Sequence, residues 1–402
     1  MEVVLDLKDM KQKLESNGYT NRKLATRFKV THTTVNSYFN KQGKFDFMHF
    51  VDSLRLYEPK NVNFRRECIK EIIPTLSHRN LKLALEVLDM FGEYGLQELV
   101  IERIMNSNEK KDEKKKGNSL TVRTNIRLAE LYKLLRQRSE GTITANDFFE
   151  EVDKKRKSQK NTENDLMIVS DFSAMYSYLD FSNYTKVNEY IQSVLPRIEQ
   201  VSKHTNQNSF LLRIKEMQIS IKMHSEGNIN GARDICLEIL NDPYNYYIST
   251  KAIAYCKLGE SFALTDYEKA KDYIYTALEI LGNPTNKKLK IRKDRILNVL
   301  LFLKIYHGKE LDTIDRTKLD LAELAFFYIK IGKKDEALEI LRGLKKQNGY
   351  LSSFQLYYMG IAIGGNEGKK YLERSVESFS KTGDNFYISL PINELKCYNK
   401  LI

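Results

Sequence analysis

The sequence contains no tryptophan, and only six of its 402 residues are proline. Proline interrupts helices and lacks an amide donor, so its scarcity leaves room for long helical segments. The four cysteines, Cys68, Cys236, Cys256 and Cys397, lie far apart and include no C-x2-C pair. This spacing gives no support to a zinc site or a disulfide-stapled domain, and it favours a protein of the reduced cytosol.

Long apolar runs and enzyme signatures are also missing. No stretch has the roughly 18 uninterrupted apolar residues of a membrane span, and residues 1–9 lack the cationic start and apolar core of a signal peptide. The six histidines are scattered, and no H-E-x-x-H, Walker A or G-x-S-x-G pattern occurs. We therefore expect a soluble intracellular protein without membrane contact, metal, cofactor or enzymatic activity.

Positive charge is in excess over the whole chain. The formal net charge is +12 and the isoelectric point is near 9.2. This balance favours a polyanionic partner such as nucleic acid. A lysine-rich host composition produces the same excess, so both interpretations stay open at this point.

The C-terminal half repeats one pattern of helix pairs. Its clearest copy consists of Leu258, Gly259, Phe262, Ala270, Ile274, Ala277 and Pro284. This is the tetratricopeptide pattern of L-G-x2-Y, A-x3-F and a late proline, in which the small residues let the second helix approach the first closely. Three further copies are carried by Ile219, Met223, Ala232, Cys236 and Pro243, by Leu324, Tyr328, Ala337 and Leu341, and more loosely by Met359, Gly360 and Ile363.

Residues 21–40 fit the frame of a helix-turn-helix. Ala25 is the small residue where the two helices cross, and Val30 anchors the turn. Lys29 stands where a glycine is common. The apolar positions of the frame are occupied by Leu24, Ala25, Phe28, Val30, Val35 and Tyr38.

The second helix of this frame is expected to begin near Thr31 and to turn short polar side chains outward. Such groups reach base edges or phosphates, and basic residues on either side would flank the DNA backbone. Because a single helix in the groove gives little discrimination, we expect a homodimer that reads two half-sites. The alternative is a helical hairpin used only for dimer contact. The candidate DNA-binding residues are Arg22, Lys23, Arg27, Thr31, His32, Thr33, Thr34, Asn36, Ser37, Asn40 and Lys41, with Lys44 as a further flanking cation.

A polar series is predicted on the inner face of the repeats. In a tetratricopeptide stack the residue before the L-G pair points into the concave groove, and here that position gives Gln218, Lys257, Glu323 and Tyr358. Amide, amine, carboxylate and phenol groups suit a short extended peptide, and Glu323 matches the guanidinium fork of an arginine. The alternative is that these side chains only solvate an empty groove.

The periodicity predicts an all-α fold, because apolar residues recur at three and four positions and no segment alternates with period two. We expect an N-terminal helix-turn-helix domain followed by a tetratricopeptide-like right-handed α-solenoid. The helix-turn-helix domain would span 1–58 and end before Pro59. Residues 59–118 would form a linker region with two amphipathic helices, and 119–402 the repeat, peptide-binding and dimerisation domain.

Two charged segments interrupt the repeats. Residues 109–117 are expected to form an exposed connector. Residues 286–295 are basic, but Leu289, Ile296 and Leu300 line one face of a helix there. We expect the charges of this second segment to coat the outer surface, with DNA contact as the alternative.

A helix-turn-helix joined to tetratricopeptide-like repeats resembles the peptide-sensing regulators of Gram-positive bacteria and their phages. Within that group the chain looks most like the arbitrium receptor (AimR) family of temperate Bacillus phages. The resemblance is carried by residues 258–266, 320–329 and 381–395, and extends from about residue 119 to the end and more loosely over the N-terminal domain.

This resemblance implies a homodimer in the host cell cytoplasm that binds operator DNA and activates a small regulatory locus. A secreted and re-imported hexapeptide would fill the groove and abolish DNA binding, which controls the choice between lysis and lysogeny. It further implies that Glu323 contacts an arginine of the peptide and that Asp384, Phe386 and Tyr387 belong to the same site.

The chain departs from the family pattern at other groove positions. The family's asparagine pair falls near Ile221 and Ser225, and its groove arginine near Ser249 with Lys251 close by. We keep Ser225 and Lys251 as candidate peptide contacts, but the preferred peptide sequence is open. The dimer interface is also open, with the terminal repeat and its apolar tail at 401–402 as candidates.

Two other function classes stay in consideration. The protein could respond to a peptide and bind another protein through its N-terminal helices, or it could be a plain repeat scaffold. A DNA affinity that falls steeply with salt separates the regulator from both, since counterion release accompanies phosphate contacts.

Overall fold

The structure is a computed structural model that describes residues 5–40, 45–109, 120–157, 163–201, 206–243 and 245–400. Throughout these ranges the chain forms helices, turns and loops, and no strand occurs in them. The predicted all-α class is therefore confirmed. No helix in the described part of the chain is long and apolar enough to cross a membrane.

Four short helices form the N-terminal head. The third helix packs on the second, and the first and fourth helices cover their other sides. The head consists of α1 (Leu7–Ser16), α2 (Asn21–Phe28), α3 (His32–Asn40) and α4 (Phe47–Tyr57).

Three helices follow the head, so the prediction of two in this region is wrong. Pro74 ends the first of them in a 3-10 turn, because proline cannot supply the amide hydrogen that a helix interior needs. Gly92 ends the second in the left-handed conformation, with φ +74°. The helices are α5 (Val62–Ile72), α6 (His78–Phe91) and α7 (Tyr94–Glu109), with the 3-10 turn at Ile73–Thr75.

The remaining helices stack as pairs with two exceptions. The four predicted repeats are present as α12/α13, α14/α15, α17/α18 and α19/α20, but α16 and α21 have no second helix, so the pairing does not continue unbroken to the end. The helices are α8 (Leu120–Glu140), α9 (Ala145–Lys157), α10 (Asn164–Asp180), α11 (Tyr184–Gln200), α12 (Gln207–Ser220), α13 (Ile229–Asn241), α14 (Ile248–Glu260), α15 (Tyr267–Leu281), α16 (Lys287–His307), α17 (Leu321–Lys330), α18 (Lys334–Asn348), α19 (Ser353–Ile363), α20 (Gly365–Thr382) and α21 (Ser389–Lys400), with a π-helical turn at Ile221–Ser225 and 3-10 turns at Leu311–Thr313 and Arg316–Lys318.

The repeat alanines are buried where the two helices of a pair meet. Ala270, Ile274 and Ala277 of α15 are fully buried. A Cβ atom on Gly259 of α14 would lie 2.6 Å from Ile274 Cγ1 and 2.8 Å from the Ala270 carbonyl oxygen. Only glycine therefore allows α14 and α15 to approach this closely.

We expect Gly259→Ala to destabilise the protein by about 1–3 kcal/mol, because the added methyl group overpacks the contact with α15. The matched control is Gly343→Ala inside α18, where an added Cβ meets nothing within 4 Å. That variant is expected to gain about 0.5–1 kcal/mol, since alanine is the better helix former. Denaturation midpoints measure both effects, and a loss of similar size in the two variants would contradict the close approach.

The head does not have a core of its own. One hydrophobic cluster runs from Met10 in α1 to Ile221 after α12. At the start of α6 the Asn80 side chain accepts a hydrogen bond from Phe47 N at 3.2 Å and donates one to Phe45 O at 2.8 Å. The first turn of α4 is thereby fixed on α6, which itself packs against the repeats.

Candidate functional site

A left-handed residue closes the turn between α2 and α3. Lys29 has φ +53° and ψ +39°, and its N–H donates to the carbonyl oxygens of Ala25 and Thr26. This conformation costs a residue with a Cβ about 1–2 kcal/mol, which the packing of the two helices offsets. The chain thus makes the helix-turn-helix turn without the usual glycine.

The inner face of the helix-turn-helix is apolar. Val30 is half-buried and packs against the same core. The side chains at the other apolar positions of the frame are at most 9% exposed, namely Leu24, Ala25, Phe28, Val35 and Tyr38.

The outer face of α3 is polar and open. Thr31 caps the helix, because its Oγ1 accepts a hydrogen bond from Thr34 N at 3.1 Å. Thr34 and Ser37 are half-buried, and Asn36 Oδ1 accepts a hydrogen bond from Lys11 Nζ at 3.1 Å. The candidates Lys41 and Lys44 lie outside the described residues. The exposed candidates are Arg22, Lys23, Thr31, His32, Thr33, Asn36 and Asn40.

Arg27 has a different environment from the other candidates. Its guanidinium donates Nε to Asp52 Oδ2 at 2.5 Å and Nη2 to Asp52 Oδ1 at 2.9 Å, which raises the pKa of Arg27 through hydrogen bonding and charge. It also lies 4.6 Å from the ring centre of Tyr246, which precedes α14. The Tyr246 hydroxyl donates to Arg27 O at 3.3 Å. Arg27 therefore connects the head to the repeats, and we do not include it in the DNA-contacting surface.

A polar network forms where the loop before α21 meets the middle repeats. His224 Nδ1 lies 3.2 Å from Asp384 Oδ1, and its Nε2 lies 3.7 Å from Glu260 Oε1. Glu260 also accepts from the Tyr387 hydroxyl at 2.9 Å and pairs with Lys257 Nζ at 2.5 Å. Although burial alone would raise it, the Lys257 ammonium and His224 hold the pKa of Glu260 below its ordinary value.

The same loop is tied to the π-helical turn by its backbone. Asn385 N donates to His224 O, and Asn385 Nδ2 donates to Ser225 O. Ser225 thus lies directly beside the segment that carries Asp384. This contact joins the middle repeats to the C-terminal helices.

Glu323 and Tyr358 lie on the neighbouring inner helices α17 and α19. Glu323 Oε2 and the Tyr358 hydroxyl are buried next to each other, and neither forms a hydrogen bond of good geometry with a described residue, although the hydroxyl lies close enough to stabilise the carboxylate in part. Burial, followed by the nearby Asp320 carboxylate, raises the pKa of Glu323 to about 7. A cationic ligand would stabilise the ionised form of a carboxyl group that is buried in this way.

Aromatic rings connect this pair to the network around Asp384. Tyr358 stacks on Phe326 with ring centres 4.4 Å apart. Phe354 lies 6.3 Å from the Tyr358 ring and 5.0 Å from the Tyr387 ring. Ring contacts therefore connect Glu323 and Tyr358 to Tyr387 and Asp384, and we call this region of the inner helices the groove, although the Tyr358 side chain is itself fully buried.

Four other candidates join the groove to different extents. Lys257 reaches it through Glu260, while Gln218 and Lys251 are half-buried and their side chains form no hydrogen bond with described residues. Phe386 is buried and contacts the Tyr387 ring at 4.8 Å between centres. The structure thus places Glu323, Asp384 and their neighbours in one region. It gives Gln218 and Lys251 no defined role there.

A family model described as AimR transcriptional regulator-like matches residues 65–397. The chain belongs to the AimR family. It is 22% identical over 396 residues to the AimR transcriptional regulator of Bacillus phage SPbeta, covering 96% of this chain and 95% of that protein. It is 24% identical over 273 residues to the AimR transcriptional regulator of Bacillus phage phi3T, covering 66% and 67%.

The solved AimR structures have the same fold. A ligand-bound phAimR structure matches with a TM-score of 0.67 at 19% identity, covering 86% of this chain and 96% of that one. A selenomethionine phAimR structure matches with a TM-score of 0.65, also at 19% identity, covering 98% and 97%. The head and the repeats are thus parts of one AimR-type helical architecture.

Sequence patterns missed one buried ion cluster of this AimR-family chain. Arg213 of α12 donates to Glu86 Oε1 and Oε2 of α6 at 2.9 and 3.0 Å, and to Asp89 Oδ2 at 2.5 Å. Lys288 of α16 lies 3.1 Å from the same Asp89 oxygen. The Tyr132 hydroxyl donates to Glu86 Oε2 at 2.6 Å. Glu86 and Asp89 lie on α6 among apolar residues at helical spacing, but their cationic partners are 124 or more residues away and Tyr132 is 46 residues away, so no local signal identifies them.

The basic segment 286–295 was predicted to coat the outer surface, and this is wrong for part of it. Lys288 is directed to the buried Asp89, and the half-buried Arg292 and the exposed Arg295 border a cavity beside it. The apolar stripe of α16 covers only part of its buried face. Among the described residues, no group of three or more His, Cys, Asp or Glu side chains is placed to hold a metal ion.

Proposed function

We propose that this AimR-family protein is a peptide-responsive, DNA-binding transcription regulator. It binds operator DNA as a homodimer in the cytoplasm of the phage host and releases the DNA when a short peptide occupies the groove. This response controls the choice between lysis and lysogeny. The observation that carries the proposal is the buried Glu323 carboxyl group, which has no cationic partner among the described residues, in the groove of a chain that also has a helix-turn-helix head.

The open polar face of α3 supports the DNA half of the proposal. Its threonine, histidine and asparagine side chains are short, exposed groups suited to base edges and phosphates. Arg22 and Lys23 at the start of α2 add positive charge beside this face.

The groove supports the peptide half. Glu323 and Asp384 offer carboxylates to a basic side chain, and the half-buried rings of Phe354 and Tyr387 offer apolar surface to the rest of a short peptide. A ligand that gains two charge-assisted hydrogen bonds from Glu323 offsets the cost of leaving that group buried.

Coupling between the two sites has a physical route. A ligand that bridges several inner helices changes the curvature of the stack, since each repeat contacts only its neighbours. The head is fixed on α6 through Asn80 and on the repeats through Arg27 and Tyr246. A change in curvature therefore alters the separation of the two heads in a dimer, and half-sites demand a fixed separation.

The experiment that tests the proposal is sequencing of genomic fragments captured by the full-length protein, with and without synthetic hexapeptides encoded by the reading frame downstream of its gene. A discrete palindromic site that is lost on adding one peptide is the expected result. If no fragment is enriched at moderate salt, the head contacts a protein instead and the DNA half of the proposal is wrong.

We expect Asn36→Ala and Lys23→Ala to weaken DNA binding in different ways. Asn36→Ala should cost about 1–3 kcal/mol on the preferred site and relax the sequence preference, because an exposed amide in α3 reads a base edge. Lys23→Ala should weaken all sequences alike and reduce the salt slope by about 1, because it contacts phosphate. Titration of specific and random DNA at several salt concentrations measures both, and Lys290→Ala on the exposed side of α16 is the control.

A further inference from the structure

A cavity of about 200 Å³ opens on the inner side of the repeats, next to the groove. Residues of α6, α7, α8, α10, α12, α14 and α16 form its walls. Its lining is rich in cations, whereas only two carboxylates, Asp89 and Glu216, face it. The cationic side chains of the lining are Arg138, Arg213, Lys257, Lys288, Arg292 and Arg295.

Four of these six cations have carboxylate partners. Arg138 forms a two-pronged pair with Asp180, at 2.7 and 2.6 Å. Arg213 and Lys288 share Asp89, and Lys257 pairs with Glu260. The protein has therefore balanced the positive charge on these four side chains with its own carboxylates.

Arg292 and Arg295 are not balanced in this way. Neither guanidinium forms an ion pair or a hydrogen bond with a described residue, and Glu216 lies more than 4 Å from both. The two arginines are three residues apart on α16, so their side chains lie on the same side of the helix. Two guanidinium groups thus border one cavity without an ion pair of their own, and the Asp180 carboxylate, which pairs with Arg138, attracts Arg295 without contacting it.

The positive charges around the cavity repel one another. Burial, then Arg292 and Arg138, lowers the pKa of Arg295. Burial also lowers the pKa of Lys288, and Arg213 and Arg292 add to this against the attraction of Asp89. Positive groups held together in a partly desolvated space carry an electrostatic cost, and a bound anion removes it.

We propose that this cavity binds an oxyanion, a carboxylate or a phosphate, in the guanidinium forks of Arg292 and Arg295. Guanidinium groups pair with such planar or tetrahedral anions through two parallel hydrogen bonds each. Lys257 lies both in the cavity lining and in the polar network of the groove. The oxyanion is therefore either the acidic end of a peptide that extends from the groove or a separate small anion, and only the first of these rests on the proposed function.

The first test needs neither DNA nor peptide. Thermal unfolding of the full-length protein is followed in inorganic phosphate and in pyrophosphate, with chloride at matched ionic strength as the reference. A saturable rise in midpoint is expected for the wild type. The double variant Arg292→Gln/Arg295→Gln is expected to weaken this binding by at least about tenfold, while Lys290→Gln, on the exposed side of the same helix, keeps it.

The same measurement without anion is a check on the fold of the variants. Because two opposed cations are removed, the double variant is expected to unfold at or above the wild-type temperature in chloride. A wild-type protein that gives the same midpoint in all the salts and binds no carboxylate peptide through these arginines would overturn the proposal. A double variant with an undiminished phosphate response would do so as well.

A second arm separates the two sources of the anion. A hexapeptide that releases DNA in the genomic capture is compared with the same peptide carrying a C-terminal amide. A loss of about tenfold on amidation in the wild type, absent in the double variant, identifies the peptide carboxylate as the occupant. Equal binding of acid and amide, with phosphate binding retained, identifies a separate small anion. If no peptide acts, the proposed function fails, while the phosphate response still decides whether the cavity is an anion site.

Discussion

Replacing Arg213 by methionine is expected to destabilise the protein by about 3–5 kcal/mol, the largest effect of any substitution considered for this chain. Arg213 is 5% exposed, and Glu86 and Asp89 beneath it are 0% and 2% exposed. Methionine fills a similar volume but leaves two buried carboxylates with only Lys288 and the Tyr132 hydroxyl as partners. The cost comes from the unpaired charge and not from a cavity.

The pH dependence of this loss follows from Asp89. Although burial alone would raise it, Lys288 and Arg213 hold the pKa of Asp89 below its ordinary value. A lowered pKa in the folded state stabilises the protein above the ordinary pKa, and that contribution disappears as the pH falls. Without Arg213, Asp89 takes up a proton more readily. The difference in stability between wild type and Arg213→Met should therefore narrow in acid.

Chemical denaturation at neutral and acidic pH measures both parts of this prediction. The control is Lys222→Met, which breaks the exposed pair of Lys222 with Glu226 and should leave the midpoint within experimental error. If Arg213→Met loses no more stability than the Lys222→Met control, the cluster is not a buried charge network. A loss that grows in acid would contradict the assignment of the charge to Asp89.

The second large effect is expected at Glu323, where glutamine should abolish the response to peptide and spare DNA binding. The amide keeps the shape of the side chain but cannot form an ion pair with a basic peptide residue. A pKa of about 7 also means that the wild-type carboxyl group is partly protonated near neutral pH. Since only the ionised form pairs with a cation, peptide affinity should fall about tenfold from about pH 8 to about pH 6.

The stability of the ligand-free protein is expected to fall as the pH rises, whereas its peptide affinity rises with pH. A carboxyl group with a raised pKa in the folded state destabilises the fold as the pH rises from its ordinary value to about 7. Glu323→Gln should thus be more stable than the wild type above that pH, by about 3 kcal/mol for a shift of this size. Glu339→Gln on the exposed face of α18 is the control.

Peptide titrations with the hexapeptide identified by genomic capture, across this pH range, test the assignment. A peptide with citrulline in place of its arginine should bind wild type and Glu323→Gln alike, because citrulline keeps the shape without the charge. A Glu323→Gln variant that still responds at the wild-type peptide concentration would show that the groove assignment is wrong.

The helix-turn-helix and the four repeats could be predicted from the sequence because they depend on local spacing. Ala270 and Gly259 mark a close helix contact within one repeat, and Ala25 and Val30 mark the turn of the head. Each of these signals lies within about 20 residues. The helix count after residue 59 failed because Pro74 and Gly92 divide what looks like a continuous apolar pattern.

The groove could be predicted only in part. Glu323 and Tyr358 follow from their position in the repeat, but the Asp384 network depends on a loop that folds back on a turn 160 residues earlier. Arg27 has the charge and position of a phosphate contact, yet a distant aspartate and Tyr246 engage it. The place of Arg292 and Arg295 beside a cavity had no signal, since a basic helix face is usually solvated.

Helix α6 contacts the head near its N-terminal end, through Asn80. Nearer its C-terminal end it carries Glu86 and Asp89, which pair with Arg213 and Lys288 of the repeats. A recombination that exchanged heads between relatives at residue 58 would separate Asn80 from the backbone groups it satisfies. An exchange after Gly92 would keep that contact. The incoming α6 would then need carboxylates that pair with Arg213 and Lys288. If the head reads operator DNA as proposed, new operator specificity should therefore arise mostly by point changes on the outer face of α3, and not by swapping whole heads.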